Sequence, residues 1–419
     1  MNNNPNQPRE DDAVLGGQAP PPVGGVILGG LEGVKNRLAS SVVEARIAAL
    51  SEALKYGEPG LELVIAALND NSAQVHRRAF MLLRERPELN VKQALQQYRT
   101  WNLVERLEAA IGDRASKFAN RRVKHFSPQT GITNPFGIAY FLGSDWNETE
   151  DITIKLERLV QDSQAGQVEA LVFGMWNGNV AVDGSSKILV DALVAAKKRL
   201  ANLKAVFIGD IPQEESEISW IQQSDISPIL EAYPNLEVLQ VRGGEGLAFS
   251  PVKHENLEAL IVETGGLSRE TVTQICALDL PALEHLELWL GSDGYGGNSS
   301  IEDIMPIISG ELFPHLTYLG LRNSTYSDEI ALWIARSPLM EHLKVLDLSM
   351  GTLSDNGALA LLNCPAVNRL DILNVADNFL SEETVEWLSE LDIQAIANDQ
   401  KEEYDEEEYG YSRYCSVAE

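Results

Sequence analysis

Polar and aromatic side chains that could do chemistry recur at alternate positions of short apolar segments between residues 238 and 350. Each segment follows the pattern L-x-x-L-x-L, which is typical of a short buried strand. Alternate side chains of a strand point to opposite faces, so the third, fifth and seventh positions share the face opposite to the leucines. In the central segments that face would hold two arginines, three carboxylates, a histidine and two aromatic residues: Arg242, Glu263, His285, Glu287, Trp289, Tyr318, Arg322 and Asp347.

The composition of this face is that of a protein-binding surface. Aromatic residues and arginine contribute most of the binding energy in many protein interfaces. Gly320, on the segment of Tyr318, would leave a dip beside Trp289 that could seat a partner's side chain. One interpretation is therefore a partner-binding patch with exposed aromatic residues, and the alternative is an ordinary solvated strand face.

An acid–base enzyme is the other chemistry that these residues allow. Glu287, Asp347 and His285 are residue types that exchange protons in active sites, but short parallel strands offer no obvious pocket around them. The sequence contains no H-E-x-x-H or C-x-x-C motif, no ordered Ser-His-Asp set and no glycine-rich phosphate loop. We therefore predict a protein that is not an enzyme and that needs no cofactor.

A metal site is the remaining possibility that the sequence raises. His315 and His342 immediately precede the first leucine of adjacent segments and could lie side by side. A metal site would need further ligands within reach, and neither Cys276 nor Cys364 occupies the same position in its repeat as these histidines. We therefore expect these histidines to lie on the surface and predict no metal site.

The apolar segments are units of an internal repeat that determines the fold. Eight of them fit the pattern and start at residues 168, 203, 236, 257, 283, 316, 343 and 370. Separations of 21–35 residues are within or near the range of leucine-rich repeats. Between the later segments lie helices with serine caps, which begin at Ser268, Ser300, Ser327, Ser354 and Ser381. The pattern predicts an α/β leucine-rich-repeat solenoid, with parallel strands on a concave wall and helices on the convex side.

The most glycine-rich loop, GSDGYGG at residues 291–297, directly follows one of these strands. Its glycines are typical of a long turn that connects the strand to the next helix. Alternatively, the loop forms a lip over the concave face, with Tyr295 pointing into the site. Both interpretations stay open at the level of the sequence.

Several longer segments resemble known repeat proteins. LDLSMGTLSDNGALALLNCP resembles leucine-rich repeats of the ribonuclease-inhibitor-like type. EISWIQQSDISPILEAYPNLEVL, LEHLELWLGSDGYGG, YLGLRNSTYSDEIA and an acidic tail that ends on RYCSV together resemble a family of bacterial leucine-rich-repeat proteins with no established biochemical activity. The resemblance covers residues 120–419. It implies the fold and leaves the function open.

Other segments differ from the repeats. Residues 1–26 are rich in Asn, Pro and Gly and predict a disordered leader. Residues 27–112 show helical periodicity, and DNSAQVHRRAFMLLRER within them resembles a HEAT-type repeat, so we predict a small all-α module with a helix pair around Trp101. Residues 113–160 would form a junction and the N-terminal cap of the solenoid, residues 161–400 the leucine-rich-repeat domain and residues 401–419 an acidic tail.

Two charged clusters lie outside the repeats. A basic cluster at residues 117–125 is either a contact for an acidic partner or a solvated linker. The run EEYDEEE at 402–408 could mimic nucleic acid, mask a basic partner or keep the protein soluble. The YSRYCSV sequence after it could return as a capping strand and turn the acidic run into a loop.

Composition excludes several classes of function. The 419 residues include 33 Lys and Arg and 62 Asp and Glu, a net charge of −29, which disfavours nucleic acid and anionic membranes. Three cysteines cannot form a disulfide framework, so we expect a cytoplasmic protein. We predict an interaction scaffold that binds a protein partner on its concave face, as a monomer or as part of a hetero-complex. The alternative is an accessory subunit of a biosynthetic or modification enzyme system that binds a carrier or peptide.

Overall fold

The computed structural model describes residues 30–70, 86–97, 113–143, 151–176, 184–406 and 410–417, together with six residues between 72 and 83. The chain divides into two compact units, residues 1–83 and 84–419, and each is described by itself. The predicted leader at 1–26 lies outside the described residues, and so do residues 98–112, which hold Trp101 of the predicted helix pair.

The first unit is helical. It contains α1 (Gly30–Leu38), α2 (Val43–Ala53) and α3 (Gly57–Ala66). Their apolar faces meet at Val34, Leu50 and Val64, which are completely buried. Gly60 allows close packing, because a Cβ atom at this position would lie 1.8 Å from the carbonyl oxygen of Ala53. The assignment of these helices to the HEAT type remains a prediction.

The second unit is built on one sheet of twelve strands, which follow one another in chain order. β1 (Lys117–Phe118) pairs antiparallel with β2, and all later pairs are parallel. The remaining strands are β2 (Arg121–His125), β3 (Ile138–Leu142), β4 (Ala170–Phe173), β5 (Ala205–Ile208), β6 (Val238–Arg242), β7 (Ala259–Glu263), β8 (His285–Gly291), β9 (Tyr318–Ser324), β10 (Val345–Asp347), β11 (Ile372–Asn374) and β12 (Gln394–Ile396). The eight predicted segments are confirmed as β4–β11. The open, mostly parallel sheet with its helices has the architecture of a leucine-rich-repeat solenoid.

Helices connect most of the strands. α4 (Leu89–Gln97) precedes β1. The helices between strands are α5 (Ile152–Gln161), α6 (Lys187–Ala196), α7 (Ser227–Ala232), α8 (Arg269–Cys276), α9 (Ile301–Ile308), α10 (Ser327–Ile334), α11 (Asp355–Leu362) and α12 (Glu382–Ser389). Serine caps are confirmed at Ser268, Ser354 and Ser381, and Ser300 forms a capping box with Asp303. Ser327 is instead the first residue of its helix. Among the described residues, no helix is long and apolar enough to cross a membrane.

The predicted register places the repeat leucines in one core. Leu286, Leu319, Leu346 and Leu373 are direct partners on neighbouring strands, and all four are completely buried. They belong to a continuous apolar core between the sheet and the helices. We name the opposite face of the sheet the concave face. Alternation along the strands therefore assigns the side chains to the two faces correctly.

The first half of the concave face carries a second apolar cluster. Small and apolar side chains line it, among them Ala170, Val172 and Ala205. Phe118, from the β1–β2 hairpin, reaches across this face, and its ring lies 5.7 Å from the ring of Phe207. The concave face is thus covered in this region by the chain itself.

The acidic tail folds back on itself. β13 (Tyr404–Glu406) and β14 (Gly410–Ser412) pair as an antiparallel hairpin, separate from the large sheet. The acidic run at 402–408 therefore enters this hairpin, and its last two residues, 407 and 408, lie outside the described residues. The chain then returns to the repeats through residues 413–417, which we name the cover segment.

Candidate interaction site

Arg322 lies at the centre of the predicted patch and connects two carboxylates. Its Nη1 atom lies 2.9 Å from Oε1 of Glu287, and its Nε atom lies 3.6 Å from Oδ1 of Asp347. Nε also donates a hydrogen bond of 3.0 Å to the hydroxyl of Ser349. The pairing of β8, β9 and β10 brings these residues together, because Glu287 and Asp347 are both direct partners of Gly320.

Glu287 contacts Trp289, Tyr318 and His285 of the patch. The indole nitrogen of Trp289 donates a 2.8 Å hydrogen bond to its Oε1 atom, and the hydroxyl of Tyr318 lies 3.5 Å from Oε2. The Nε2 atom of His285 also lies 3.5 Å from Oε2. The His285 ring stacks on the Tyr318 ring with 3.8 Å between centroids and 10° between planes. Four predicted site residues therefore form one contact group.

Asp347 is held by neutral donors in addition to Arg322. It accepts hydrogen bonds from the Tyr318 hydroxyl at 3.1 Å and from the Asn374 amide at 3.0 Å. The backbone and hydroxyl of Ser349 donate to its other oxygen at 3.0 and 2.6 Å. Asn374 and Ser349 were not among the predicted site residues, although they occupy the same repeat columns as Glu287 and Arg322.

The prediction of an exposed patch is wrong. His285, Glu287 and Asp347 are completely buried, Trp289 is 4% exposed and Arg322 is 9% exposed. The charged groups of Arg322, Glu287 and Asp347 pair with one another, so burial does not leave these charges without partners. The dip predicted at Gly320 is also filled, because a Cβ atom there would lie 3.0 Å from Cγ of Glu287.

Arg242 and Glu263 form a second buried ion pair on β6 and β7, and both are also less exposed than predicted. The Nε atom of Arg242 lies 2.8 Å from Oε2 of Glu263, and Gln240 donates to the other carboxylate oxygen at 2.9 Å. Arg242 also lies 3.9 Å from Asp210. Burial raises the pKa of Asp210 above its usual value, and the charge of Arg242 opposes this shift.

The cover segment lies over the carboxyl-terminal ends of β8–β10. Its Val417 packs with Ile218, Trp289 and Met350 in a small apolar cluster. The Asn323 side chain accepts a 2.9 Å hydrogen bond from the Val417 backbone and also donates to the Val417 carbonyl oxygen. The backbone nitrogen of Ser416 donates to the carbonyl oxygen of Met350 at 2.9 Å. The segment therefore binds the repeats through its backbone and through the side chains of Val417 and Arg413, the second of which lies 3.2 Å from Asp328.

Lys401 forms hydrogen bonds both to the cover segment and to the repeats. The ammonium of Lys401 donates to the carbonyl oxygens of Gly351 and Tyr414 at 3.0 Å and to the hydroxyl of Ser416 at 2.9 Å. It also lies 4.8 Å from the ring centroid of Phe379, in the range of a cation–π interaction. The YSRYCSV sequence returns to the repeats, but not as the predicted capping strand: its first two residues belong to the β13–β14 hairpin, and residues 413–417 contain no strand.

Tyr295 lies beside the site on the predicted loop. The loop forms a short turn at Asp293–Tyr295, and Tyr295 is partly exposed. Its carbonyl oxygen packs against Gly266, where a Cβ atom would lie only 2.2 Å away. The loop is thus held by backbone contacts to the turn after β7, while its role as a lip remains a prediction.

A metal centre finds no support in the part of the chain that the structure describes. Within those residues there is no group of three or more His, Cys, Asp or Glu side chains that could hold an ion. The carboxylates of the concave face are instead occupied by arginine, tyrosine and amide donors.

We expect the thiol of Cys415 to react slowly in the native protein. Burial raises its pKa to about 12, so at pH 8 the reactive thiolate is about 0.01% of the thiol. Burial likewise raises the pKa of Cys276 to about 11. Titration with a disulfide reagent at pH 8 should give slow modification in buffer and three rapid thiols in denaturant. A variant in which Cys415 is the only cysteine isolates the cover segment, and rapid modification of it in buffer would contradict this placement.

Solved structures include proteins that are similar to this chain. The chain is similar to a protein of known crystal structure from Bacteroides fragilis, with a TM-score of 0.59 and 29% sequence identity over 63% of this chain and 75% of that chain. It also matches an internalin from Listeria monocytogenes, with a TM-score of 0.31 and 14% identity over 59% of this chain and 56% of that chain. No protein-family model matches the chain, and no curated protein matches it.

Proposed function

We propose that the chain is a non-catalytic interaction scaffold that binds a protein partner on the concave face of its repeats. One observation carries the proposal: residues 413–417 of the chain itself bind at the rim of that face. The hydrogen bonds of Asn323 to both backbone groups of Val417 are of the kind that hold extended peptides. The apolar cluster of Ile218, Trp289 and Met350 receives the Val417 side chain.

In this proposal the cover segment occupies the site until a partner replaces it. The partner would present an extended segment with an aliphatic side chain in the position of Val417. Release of the cover segment would first uncover Trp289, which already packs against Val417, and then Arg322 beside it. These two residue types are frequent hot spots of protein interfaces. The patch is buried in the free protein, and it could bind a partner once the cover segment is released.

A truncated chain that ends after Ser412 tests the proposal. It should capture a protein from extracts of the source organism at least ~10-fold better than the full chain, which corresponds to ~1.4 kcal/mol. Trp289→Phe in the truncated chain should reduce this capture, because part of the indole surface that packs against Val417 is lost. Trp220→Phe is the matched control, because Trp220 is exposed on a turn and its indole also donates to a glutamate. Equal capture by the full and truncated chains would contradict the proposal.

The proposal also covers the helical module, the type of repeat, the localisation and the oligomeric state. We include a HEAT-like module at 27–112, a repeat array of the ribonuclease-inhibitor-like type at 161–400, and a cytoplasmic bacterial protein that acts as a monomer or in a hetero-complex. The fold and the similarity to the Bacteroides protein support the repeat array in general terms.

A further inference from the structure

A stripe of apolar side chains crosses the outer surface of three successive helices, α10, α11 and α12. Trp333 is 46% exposed and Trp387 is 39% exposed, and Leu332 and Leu359 are exposed to a similar degree. Neighbouring repeats in this region are 27 residues apart, as the pairing of Tyr318, Val345 and Ile372 demonstrates. Residues 333, 360 and 387 are therefore equivalent, as are 332 and 359. We name the set Leu332, Trp333, Leu359, Ala360 and Trp387 the tryptophan stripe.

The fold does not require large apolar residues at these positions. The three helices bury a different face, with Ile334, Leu361 and Leu388 in the core. At the position equivalent to Leu332, α8 carries the exposed polar residue Thr273. An exposed polar side chain is therefore compatible with the same helix packing, and the aromatic side chains need another explanation.

The stripe has a distinct shape. Packed helices lie about 8–10 Å apart, so the two tryptophans, on α10 and α12, are separated by about 16–20 Å. Ala360 occupies the equivalent position on the helix between them and is too small to fill the space between two indoles. The surface between Trp333 and Trp387 is thus about as long as three turns of a helix.

Negative charge predominates along the border of the stripe, although the exposed Arg336 follows Trp333 by three residues. Glu329 and Glu383 precede Trp333 and Trp387 by four residues, which places each on the same helix face as the indole. Glu302 occupies the equivalent position on α9, and all three glutamates are exposed. On α12, Glu386 and Glu390 add two more exposed carboxylates. This border would repel an anionic lipid surface, a nucleic acid and a second copy of a chain whose net charge is −29.

We infer that the tryptophan stripe is a docking surface for a basic amphipathic segment of a protein partner. The apolar side of that segment would lie over Ala360 and Leu359, between the two indoles. Its lysine or arginine side chains would pair with Glu329 and Glu383, and could also lie over the faces of Trp333 and Trp387. This surface is on the helices, so the inference is independent of the proposed concave site.

A helical peptide of leucine and lysine, with one apolar and one basic face, is the probe. Binding of the labelled peptide is measured by fluorescence anisotropy at about 0.15 M salt, where screening is already physiological. The Trp333→Ala/Trp387→Ala double variant should bind at least ~10-fold more weakly than the unaltered chain. Trp220→Ala is the matched control, because Trp220 is 66% exposed outside the stripe, and it should leave binding unchanged.

The charges are tested separately, with the tryptophans in place. Glu329→Lys/Glu383→Lys should also weaken binding at least ~10-fold and reduce its dependence on salt, because two attractive carboxylates become repulsive. A peptide in which glutamate replaces every lysine should bind more weakly than the basic peptide.

Several results would overturn the inference. The first is equal affinity of the double tryptophan variant, or an equal loss from Trp220→Ala. The second is equal binding of the acidic and basic peptides. The third is tryptophan-dependent binding to phosphatidylserine vesicles in place of the peptide, which would indicate a lipid surface instead of a protein segment.

Discussion

Replacement of Arg322 by methionine is expected to lower the free energy of unfolding by about 3–5 kcal/mol. Methionine keeps much of the side-chain length and removes the charge. Glu287 and Asp347 are completely buried, so each would lose a cation at 2.9 or 3.6 Å without gaining access to water. Leaving one partner of a buried ion pair unpaired is among the most destabilising changes in a protein interior. Urea unfolding followed by circular dichroism measures the difference.

A second variant separates the lost pairing from a general packing defect. In Arg322→Met/Glu287→Gln, the uncompensated charge at Glu287 is removed, so part of the stability should return. The amide at 287 can still accept the hydrogen bond from Trp289. A double variant that is less stable than Arg322→Met alone would argue against charge as the cause. If Arg322→Met were as stable as the unaltered chain, the residue would be solvated and the buried network incorrect.

The strands and their register could be predicted from the sequence because they depend on short-range pattern. Leucine spacing identifies each strand, and period-two alternation assigns each side chain to a face. Both inferences hold along β4–β11, and Leu286 and Leu346 lie where the repeat places them. Serine caps are similarly local, which explains why Ser268 and Ser381 could be recognised as helix starts.

Burial of the concave residues could not be predicted in the same way. The alternation of side chains along β8 predicts which face of the sheet Trp289 occupies. It does not predict which other residues cover that face. The covering residues come from distant parts of the chain: Ile218 from the connection after β5 and Val417 from the end of the tail. Nothing in the local sequence of β8 encodes these contacts.

The sequence nevertheless contained one indication that Arg322 pairs with Glu287 and Asp347. The repeat columns align Glu287 with Gly320 and Asp347, and Trp289 with Arg322. Opposite charges on neighbouring strands and on the same face are within reach of one another. The mixture of arginine and carboxylates therefore indicated internal pairing as much as a surface for a partner. Charge balance between adjacent columns of one face is thus a better guide to burial here than residue type alone.

Truncation of Leu346 to alanine is expected to cost about 2–5 kcal/mol of unfolding free energy. Leu346 pairs in register with Leu319 on one side and Leu373 on the other, and all three are completely buried. Because each repeat is supported by its neighbours, the cavity cannot be closed by movement of one strand without disturbing the next. Leu359→Ala is the matched control, since the same atoms are removed from a side chain that is 38% exposed, and it should change stability by less than ~1 kcal/mol. Similar losses from Leu346→Ala and Leu359→Ala would mean that the repeat leucines do not form a common core, and the register of β9–β11 would then be incorrect.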